Sequence, residues 1–222
     1  MNNIIVIAPH PDDETLGCGG TILKHIAYGD NVYWLIVTSI DEQHGFSKEK
    51  VDQRNKEIEK VCKIYPFIDT FKLNIPTATL DQVSKGELVN KFGHIFNKVC
   101  PDIIYLPFKG DVHSDHKIVF DAAVSCTKWF RYSSIKRVLC YETISETDFG
   151  LDPTERNFFP NVFVDITPYL EKKLKAMKIY KSELGTHPFP RNEKVIRSLA
   201  MVRGAASGCD FAEAFVLLKE II

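Results

Sequence analysis

The sequence has no surplus of charge of either sign. Its 222 residues contain 28 Lys and Arg against 29 Asp and Glu, so the formal net charge is −1. Proteins that hold nucleic acid or anionic lipid mainly by electrostatic attraction carry a basic excess on the binding face. We therefore expect neither nucleic acid nor a membrane surface as a partner.

Long hydrophobic runs are also missing. The apolar run at residues 32–37 is typical of the chain, whereas a helix that spans a bilayer needs about 20 apolar residues. Residues 1–7 lack the basic segment and the longer apolar stretch of a secretory signal peptide. We expect no membrane insertion and a cytoplasmic location.

Closely spaced cysteine pairs are absent as well. The six cysteines are scattered, and none forms a C-x-x-C pattern. A chain of this length buries enough apolar surface to fold without disulfides, and a reduced cysteine in an apolar segment behaves as a small hydrophobic residue. This predicts free thiols and argues against a zinc site built from cysteine.

The sequence does contain an alternation of short Val- and Ile-rich runs with longer segments of helical period. This alternation is typical of α/β proteins, and the short connections favour a parallel sheet. The composition is globular, with 45% hydrophobic and 26% charged residues, and the length favours one domain over residues 1–222. We expect a Rossmann-like, mostly parallel sheet with helices on both faces and the active site at the carboxyl ends of the strands.

The predicted elements follow one another in a regular order. Strands are predicted at residues 4–8, 32–38, 70–73, 103–106, 138–141 and 162–164. Helices are predicted at residues 15–28, 48–64, 86–99, 117–130, 169–184, 193–203 and 211–219. Two irregular stretches, at residues 144–160 and 185–192, are long enough to be binding loops.

The segment after the first predicted strand concentrates polar groups. His10, Asp12, Asp13 and Glu14 lie within five residues of one another. A turn followed by a helix accounts for one aspartate and for Glu14, because Asp caps helices and Glu favours their first turn. It does not account for His10, nor for two adjacent carboxylates whose repulsion a bound cation would remove. The segment is therefore a candidate functional site.

A second polar segment follows the strand predicted at residues 103–106. It carries His113, Asp115 and His116 just before a predicted helix. Taken alone, this segment is explained equally well by a functional site and by a capping aspartate beside two exposed histidines. The carboxyl ends of parallel strands meet at one edge of a sheet, so we expect the two polar segments to lie close together.

Together the two segments supply the donors of a catalytic metal site. Catalytic zinc takes three ligands from His, Asp and Glu and keeps one position open for water, and His10, Asp13 and His116 provide such a set. Two histidines and one carboxylate also suit Fe2+. Asp12 is then free to remove a proton from the attacking water, and His113 stands near the substrate oxygen. A metal site with a base and a histidine beside it is suited to hydrolysis.

Two further acids are candidates to support this site. Asp115 lies one residue from His116 and two from His113, so it can orient an imidazole through a hydrogen bond. Glu14, directly after Asp13, is the second candidate for this supporting role.

Several motifs of the chain match a known pattern. They are PHPDDE at residues 9–14, LGCGGT at 16–21, RNKE at 54–57, HSDH at 113–116, YKSE at 180–183, HPFPR at 187–191, RG at 203–204 and FAEAF at 211–215. In these motifs the chain resembles the LmbE/PIG-L family of zinc-dependent N-acetylglucosaminyl de-N-acetylases over essentially its whole length. One departure is Ser114, where many relatives carry proline, and it leaves the spacing of the candidate ligands intact.

The resemblance implies a role for each residue of the site. His10, Asp13 and His116 match the metal ligands, and Asp12 matches the general base. His113 matches the histidine that stabilises the tetrahedral intermediate or protonates the leaving amine.

The resemblance also implies the substrate and the cofactor. Arg54 falls where the family often uses an arginine to hold substrate. The implied reaction releases acetate from a small-molecule substrate, an N-acetylated amino sugar or its conjugate. The implied cofactor is Zn2+, with Fe2+ or another divalent ion as the alternative.

Other interpretations stay open at this point. The same site suits hydrolysis of a non-sugar amide, or a metal-dependent sugar-binding module without catalysis. His187 and Arg191, in the irregular stretch 185–192, are candidates to line the substrate cleft. The apolar end, residues 215–222, packs either within the fold or against a second copy, which leaves a homo-oligomer as an alternative.

Overall fold

The computed structural model of the chain describes residues 1–151, 154 and 158–222. Its strands are β1 (Asn3–Ala8), β2 (Asn31–Ser39), β3 (Asp69–Pro76), β4 (Ile103–Pro107), β5 (Arg137–Tyr141), β6 (Val162–Asp165) and β7 (Ala212–Glu220). Its helices are α1 (Asp13–Ala27), α2 (Lys48–Ile64), α3 (Lys85–Val99), α4 (Ser114–Ser125), α5 (Leu170–Met177) and α6 (Glu193–Ser207). Short 3₁₀ turns lie at residues 42–44, 80–82, 147–149 and 181–183.

The strands form one seven-stranded sheet in the order β3-β2-β1-β4-β5-β7-β6. The first five strands of this order are parallel, β7 runs antiparallel to β5, and β6 runs antiparallel to β7. The predicted mostly parallel α/β sheet is confirmed.

Helices cover both faces of the sheet, as β1 illustrates. Ile4, Val6 and Ala8 belong to one core, together with residues of α1, α2, α5 and α6. Ile5 and Ile7 point to the opposite core, which α3 and α4 close. Because β1 is buried on both sides, it reads as a continuous apolar run rather than an alternating one. Within the described ranges, no helix combines the length and apolar character that crossing a membrane requires.

The strand order creates a crevice between β1 and β4. The chain leaves β1 for β2 on one side, whereas it leaves β4 for β5 on the other. In open α/β sheets, the connections diverge at such a point, and ligands bind in the gap outside the carboxyl ends of the strands. The two polar segments follow β1 and β4, so both lie at this gap.

The helix predicted at residues 211–219 is wrong. This segment is β7, which pairs with both β5 and β6. A short apolar run such as residues 215–218 does not distinguish helix from strand by its period, and β5 offers a free edge for pairing. Phe215 is fully buried, so the apolar end packs within the sheet at this position.

Two other predicted helices are too long. The helix predicted at residues 169–184 ends at Met177, after which Tyr180 is fully buried. The helix predicted at 117–130 is α4, which begins at Ser114 and ends at Ser125. Of the irregular stretch 144–160, residues 152–153 and 155–157 lie outside the described residues.

Candidate active site at the carboxyl ends of β1 and β4

The turn between β1 and α1 brings His10 and Asp13 together. Asp13 Oδ2 accepts a 2.8 Å hydrogen bond from the backbone N–H of His10 and lies 3.3 Å from His10 Nδ1. Asp12, between them in the N-cap position of α1, has a φ of 144°. A positive φ is costly for a residue other than glycine, and such strain is typical of functional sites.

The start of α4 places His116 against the same carboxylate. His116 Nε2 lies 3.3 Å from Asp13 Oδ2, and His116 Nδ1 lies 2.7 Å from Asp111 Oδ2. A carboxylate accepts the hydrogen bond from Nδ1–H, so in the neutral ring that a metal would bind the lone pair lies on Nε2. Nε2 is buried and has no hydrogen-bond partner among the residues that the structure describes.

These three side chains fit a divalent cation. One ligand atom each of His10, Asp13 and His116 lies within 4.8 Å of the others. An unpaired buried imidazole nitrogen beside a carboxylate and a second imidazole is the donor set that zinc and Fe2+ favour. The three residues could therefore hold such an ion.

A second grouping, of His10, His113 and Asp115, meets the same distance criterion but fits less well. His113 Nδ1 accepts a 3.1 Å hydrogen bond from the backbone N–H of Asp115. Asp115 Oδ2 accepts hydrogen bonds from the backbone N–H of Ala78 at 2.8 Å and from His10 Nε2 at 3.2 Å. Asp115 Oδ1 has no partner among the described residues, but His113 Nδ1 is already an acceptor and His10 Nε2 is already bonded to Asp115. This group therefore supports the site rather than forming another.

The supporting acids take different positions. Asp115 orients His10 from behind through Nε2. Glu14 instead accepts a 3.0 Å hydrogen bond from the backbone N–H of Asp12 and a 2.9 Å bond from the Tyr180 hydroxyl. Burial raises the pKa of Glu14 to about 7. Glu14 therefore supports the strained turn at Asp12 rather than an imidazole.

The imidazoles and carboxylates of the site stabilise each other's charged forms. Burial alone would lower the pKa of His10, but the hydrogen bonds to Asp115 and Asp13 outweigh it and raise that pKa to about 9. The pKa of His116 is likewise raised despite burial, because Asp13 and Asp111 flank it. The pKa of Asp13 falls in turn, since both imidazoles favour its ionised form over the effect of burial.

The pKa of Asp12 is shifted in the opposite direction to that of Asp13. Asp12 is 2% exposed, and burial together with the charges of Asp13 and Glu183 raises the pKa of its carboxyl well above the usual range. Arg191 Nη1 lies 3.0 Å from Asp12 Oδ2 and opposes this effect. A carboxylate with a raised pKa is a better proton acceptor at neutral pH than an ordinary one.

His113 is the neutral histidine of the group. Burial and the neighbouring charge of His10 lower the pKa of His113 to about 4. Its Nδ1 accepts from a backbone N–H, so the neutral ring carries its proton on Nε2. The ring centroids of His113 and His10 are 4.5 Å apart. His113 can therefore donate a hydrogen bond from the edge of the site.

An open cavity of about 670 Å³ lies in front of these residues. Its volume is in the usual range for small-molecule sites. Arg54 and Arg191 both line it, as do Asp12, Asp13 and His113. Among the predicted cleft residues His187 is exposed and does not line this cavity.

Some residues of the site were missed by the sequence reasoning. Asp111 belongs to the second polar segment, and its place five residues before His116 was the available signal. Glu183 bridges the two cavity arginines, with Oε1 on Arg54 and Oε2 at 3.1 Å from Arg191. Glu183 belongs to the YKSE motif at 180–183, but its contacts depend on the folding of the tail and do not follow from that motif.

Comparison with known proteins agrees with this geometry. The family model of GlcNAc-PI de-N-acetylase, PIG-L, matches residues 5–127, a range that contains both polar segments. The chain is 28% identical over 237 aligned positions to the diacetylchitobiose deacetylase of Thermococcus kodakarensis, with 96% of this chain and 82% of that protein covered.

Solved structures share the fold. The conserved protein TT1542 from Thermus thermophilus superposes with a TM-score of 0.78 at 25% identity, covering 100% of this chain and 97% of that one. The N,N′-diacetylchitobiose deacetylase from Pyrococcus horikoshii gives a TM-score of 0.77 at 24% identity, covering 97% and 83%. With more than half of its length matched by the family model, the chain belongs to the PIG-L family of metal-dependent de-N-acetylases.

Proposed function

We propose that this protein uses Zn2+ to hydrolyse the N-acetyl amide of an N-acetylated amino sugar or its conjugate, releasing acetate and the free amine. The observation that carries the proposal is that His10 and His116 meet around one carboxylate oxygen of Asp13. Of the surrounding residues, His10, Asp12, Asp13 and His113 line an open cavity. The relative named as a diacetylchitobiose deacetylase supports an amino-sugar substrate.

His10, Asp13 and His116 would hold the ion. His10 would offer Nδ1, because its Nε2 faces Asp115, and His116 would offer Nε2, because its Nδ1 faces Asp111. When bound, a divalent cation supplies Lewis acidity to the amide carbonyl and acidifies the attacking water.

Asp12 would act as the general base. Its side chain lines the same cavity as His10 and Asp13 of the ligand set. Its raised pKa matches the task of accepting a proton from water and passing it to the leaving amine. The Asp12 side chain makes no capping hydrogen bond to α1 and lines the cavity instead.

His113 would stabilise the oxyanion of the tetrahedral intermediate. The neutral ring with its proton on Nε2 is a hydrogen-bond donor at pH 7. Because the pKa of His113 is about 4, the ring is a weak base and does not carry a second proton at that pH. Of the two roles that the sequence left open, this favours stabilisation of the developing negative charge over protonation of the amine.

We place the protein in the cytoplasm as a single domain. All six cysteines are free thiols, which is typical of a reducing compartment. The sheet runs from Asn3 in β1 to Glu220 in β7, which supports one domain over 1–222. The substrate-holding role of Arg54 and a homo-oligomeric state stay predictions.

The test is acetate release from a panel of N-acetylated amino sugars and simple N-acetyl amides. Zinc-loaded wild-type protein is compared with Asp12→Asn and with Asp52→Asn, a matched change at an exposed site on α2. We expect Asp12→Asn to keep its zinc and lose about 10²- to 10⁴-fold in kcat, with Asp52→Asn unaffected. Turnover of simple amides but not of N-acetylated sugars would show that the substrate is a non-sugar amide. An active Asp12→Asn variant would refute the mechanism.

A further inference from the structure

Arg191 is the cavity cation that lies nearest the proposed chemistry. Its Nη1 is 3.0 Å from Asp12 Oδ2 and 3.1 Å from Glu183 Oε2, and its side chain is 23% exposed. The guanidinium therefore bridges two carboxylates while one part of it faces the cavity. On the other side of the turn, Asp13 Oδ2 lies 3.3 Å from both His10 Nδ1 and His116 Nε2, so Arg191 is the cation that contacts Asp12 and not Asp13.

The backbone around Arg191 is fixed. The carbonyl of Arg191 accepts a 3.1 Å hydrogen bond from the N–H of Gly185, which closes the segment 185–191 into a compact loop. A Cβ at Gly185 would lie 2.5 Å from the ring of Phe189, so any larger residue there would require that ring to move. The next residue, Asn192, caps α6 by accepting from the N–H of Val195 at 3.0 Å. Arg191 is thus held between a closed loop and a helix start.

A chain of ion pairs also holds the guanidinium from behind. Glu183 accepts from Arg191 on one oxygen and from Arg54 on the other. Arg54 in turn donates to the backbone carbonyl of Pro11 at 3.1 Å, and its Nε lies 3.3 Å from Glu57. The tail loop is therefore connected through α2 to the turn that carries Asp12.

Asp12 needs such support. Its φ of 144° is unfavourable for an aspartate, and its side chain makes no capping hydrogen bond to α1. Glu14 holds its backbone N–H at 3.0 Å, and Arg191 holds its carboxylate. A reacting group that is misplaced by about 1 Å can lose about 100-fold in rate.

We propose that Arg191 is a positioning residue for the general base, fixing the Asp12 carboxylate in its reactive orientation, and that Glu183 and Arg54 hold the guanidinium in place. The inference rests on the proposed function, because it requires Asp12 to accept the proton. It gives the tail, which lies beyond the part of the chain matched by the family model, an indirect part in the reaction, through Asp12.

The test compares Arg191→Ala and Arg191→Lys with Arg197→Ala in zinc-loaded full-length protein. Arg197 is a matched control, because it is an arginine paired with Glu171 and Glu193 on the surface of α6. We expect Arg191→Ala to lower kcat by about 10- to 100-fold at unchanged zinc content and with KM within about twofold. We expect Arg191→Lys to keep part of the activity and Arg197→Ala to match wild type.

Two further measurements separate positioning from a merely structural role. Guanidinium ion added to Arg191→Ala should restore kcat, because the vacated site opens to the cavity, whereas equimolar methylammonium should restore less. The double variant Asp12→Asn/Arg191→Ala should be no slower than Asp12→Asn alone, since residues that act as a unit are not additive.

The outcomes distinguish this inference from the proposed function. If the wild-type protein releases no acetate from any substrate of the panel, the proposed function itself fails. If Asp12→Asn stays active, Asp12 is not the general base. If Asp12→Asn is inactive while Arg191→Ala keeps wild-type kcat, only the positioning role is overturned. A rise in KM alone in Arg191→Ala would also overturn it and make Arg191 a substrate-binding residue.

Discussion

Asp111 Oδ2 lies 2.7 Å from His116 Nδ1, and both side chains are completely buried. The second carboxylate oxygen, Oδ1, accepts a 2.6 Å hydrogen bond from the hydroxyl of Thr147. Asp111 thus fixes the ring of His116 with Nε2 turned toward Asp13. Carboxylates in this position orient a ligating histidine and increase its basicity.

Asp111→Asn should therefore weaken metal binding. We expect the affinity for Zn2+ to fall by about 10- to 100-fold, as is usual when the acid behind a ligating histidine is lost. Competition with a chromophoric chelator measures the change, and Asp81→Asn, at an exposed site, serves as the control. An unchanged affinity in Asp111→Asn would show that His116 is not held for a metal.

Metal binding should release protons. The pKa of His10 is about 9 and that of His116 is also raised, so both imidazoles are protonated near pH 7 in the metal-free protein. A metal replaces these protons, so the apparent affinity should rise with pH up to about 9. Calorimetry in two buffers of different ionisation enthalpy counts the released protons. A count of zero at pH 7 would contradict the ligand assignment.

The raised pKa of His10 also affects the stability of the metal-free protein. The folded-state pKa of His10, about 9, exceeds the unfolded value of about 6.5, so protonated His10 stabilises the fold. This contribution is fully present below about pH 6.5 and is lost as the pH rises through the folded value. Urea denaturation at several pH values should show a falling free energy of unfolding in this window for the metal-free form. A His10→Gln variant should lack this part of the slope.

A buried ion pair holds α1 against the end of the sheet. Lys173 Nζ lies 2.6 Å from Glu213 Oε1 and donates to the carbonyl of Leu16 at 2.8 Å. Removing one partner of a buried pair leaves an uncompensated charge, so Lys173→Met should lower the free energy of unfolding by about 3–5 kcal/mol. Urea denaturation measures it against Lys172→Met, a change at the exposed neighbour. Equal stability of the two variants would contradict the role of the pair.

Gly17 allows α1 to approach β5. A Cβ at this position would lie 2.2 Å from the ring of Tyr141, whose hydroxyl donates to the carbonyl of Ile7 at 2.8 Å. Gly17→Ala should therefore cost about 1–3 kcal/mol through overpacking. Gly86→Ala is the control, because no atom lies within 4 Å of a Cβ built there. Thermal unfolding would contradict this account if Gly17→Ala were as stable as Gly86→Ala.

Much of the fold follows from local pattern. Buried parallel strands such as β1 and β2 appear as continuous apolar runs, and the polar segments after β1 and β4 fall at the carboxyl ends that the topology brings together. The resemblance to the PIG-L family is confirmed by the match over residues 5–127. His10, Asp13 and His116 meet because two connections diverge from adjacent strands.

The rest depends on tertiary contacts. The strand β7 forms because β5 and β6 offer edges to pair with, which its nine-residue sequence does not reveal by itself. The end of α5 at Met177 coincides with the turn that brings Tyr180 to Glu14. Arg191 reaches Asp12 across 179 positions of sequence, a separation at which no local pattern predicts a contact.

We propose above that this protein carries out metal-dependent N-deacetylation at His10, Asp13 and His116. The most direct measurement is acetate release from an N-acetylated amino sugar by metal-stripped protein while Zn2+ is titrated back. We expect no release without metal and full activity at one equivalent per chain, with His116→Ala inactive at that same equivalent. Full activity of the stripped protein, or of His116→Ala with one equivalent of zinc, would contradict the account.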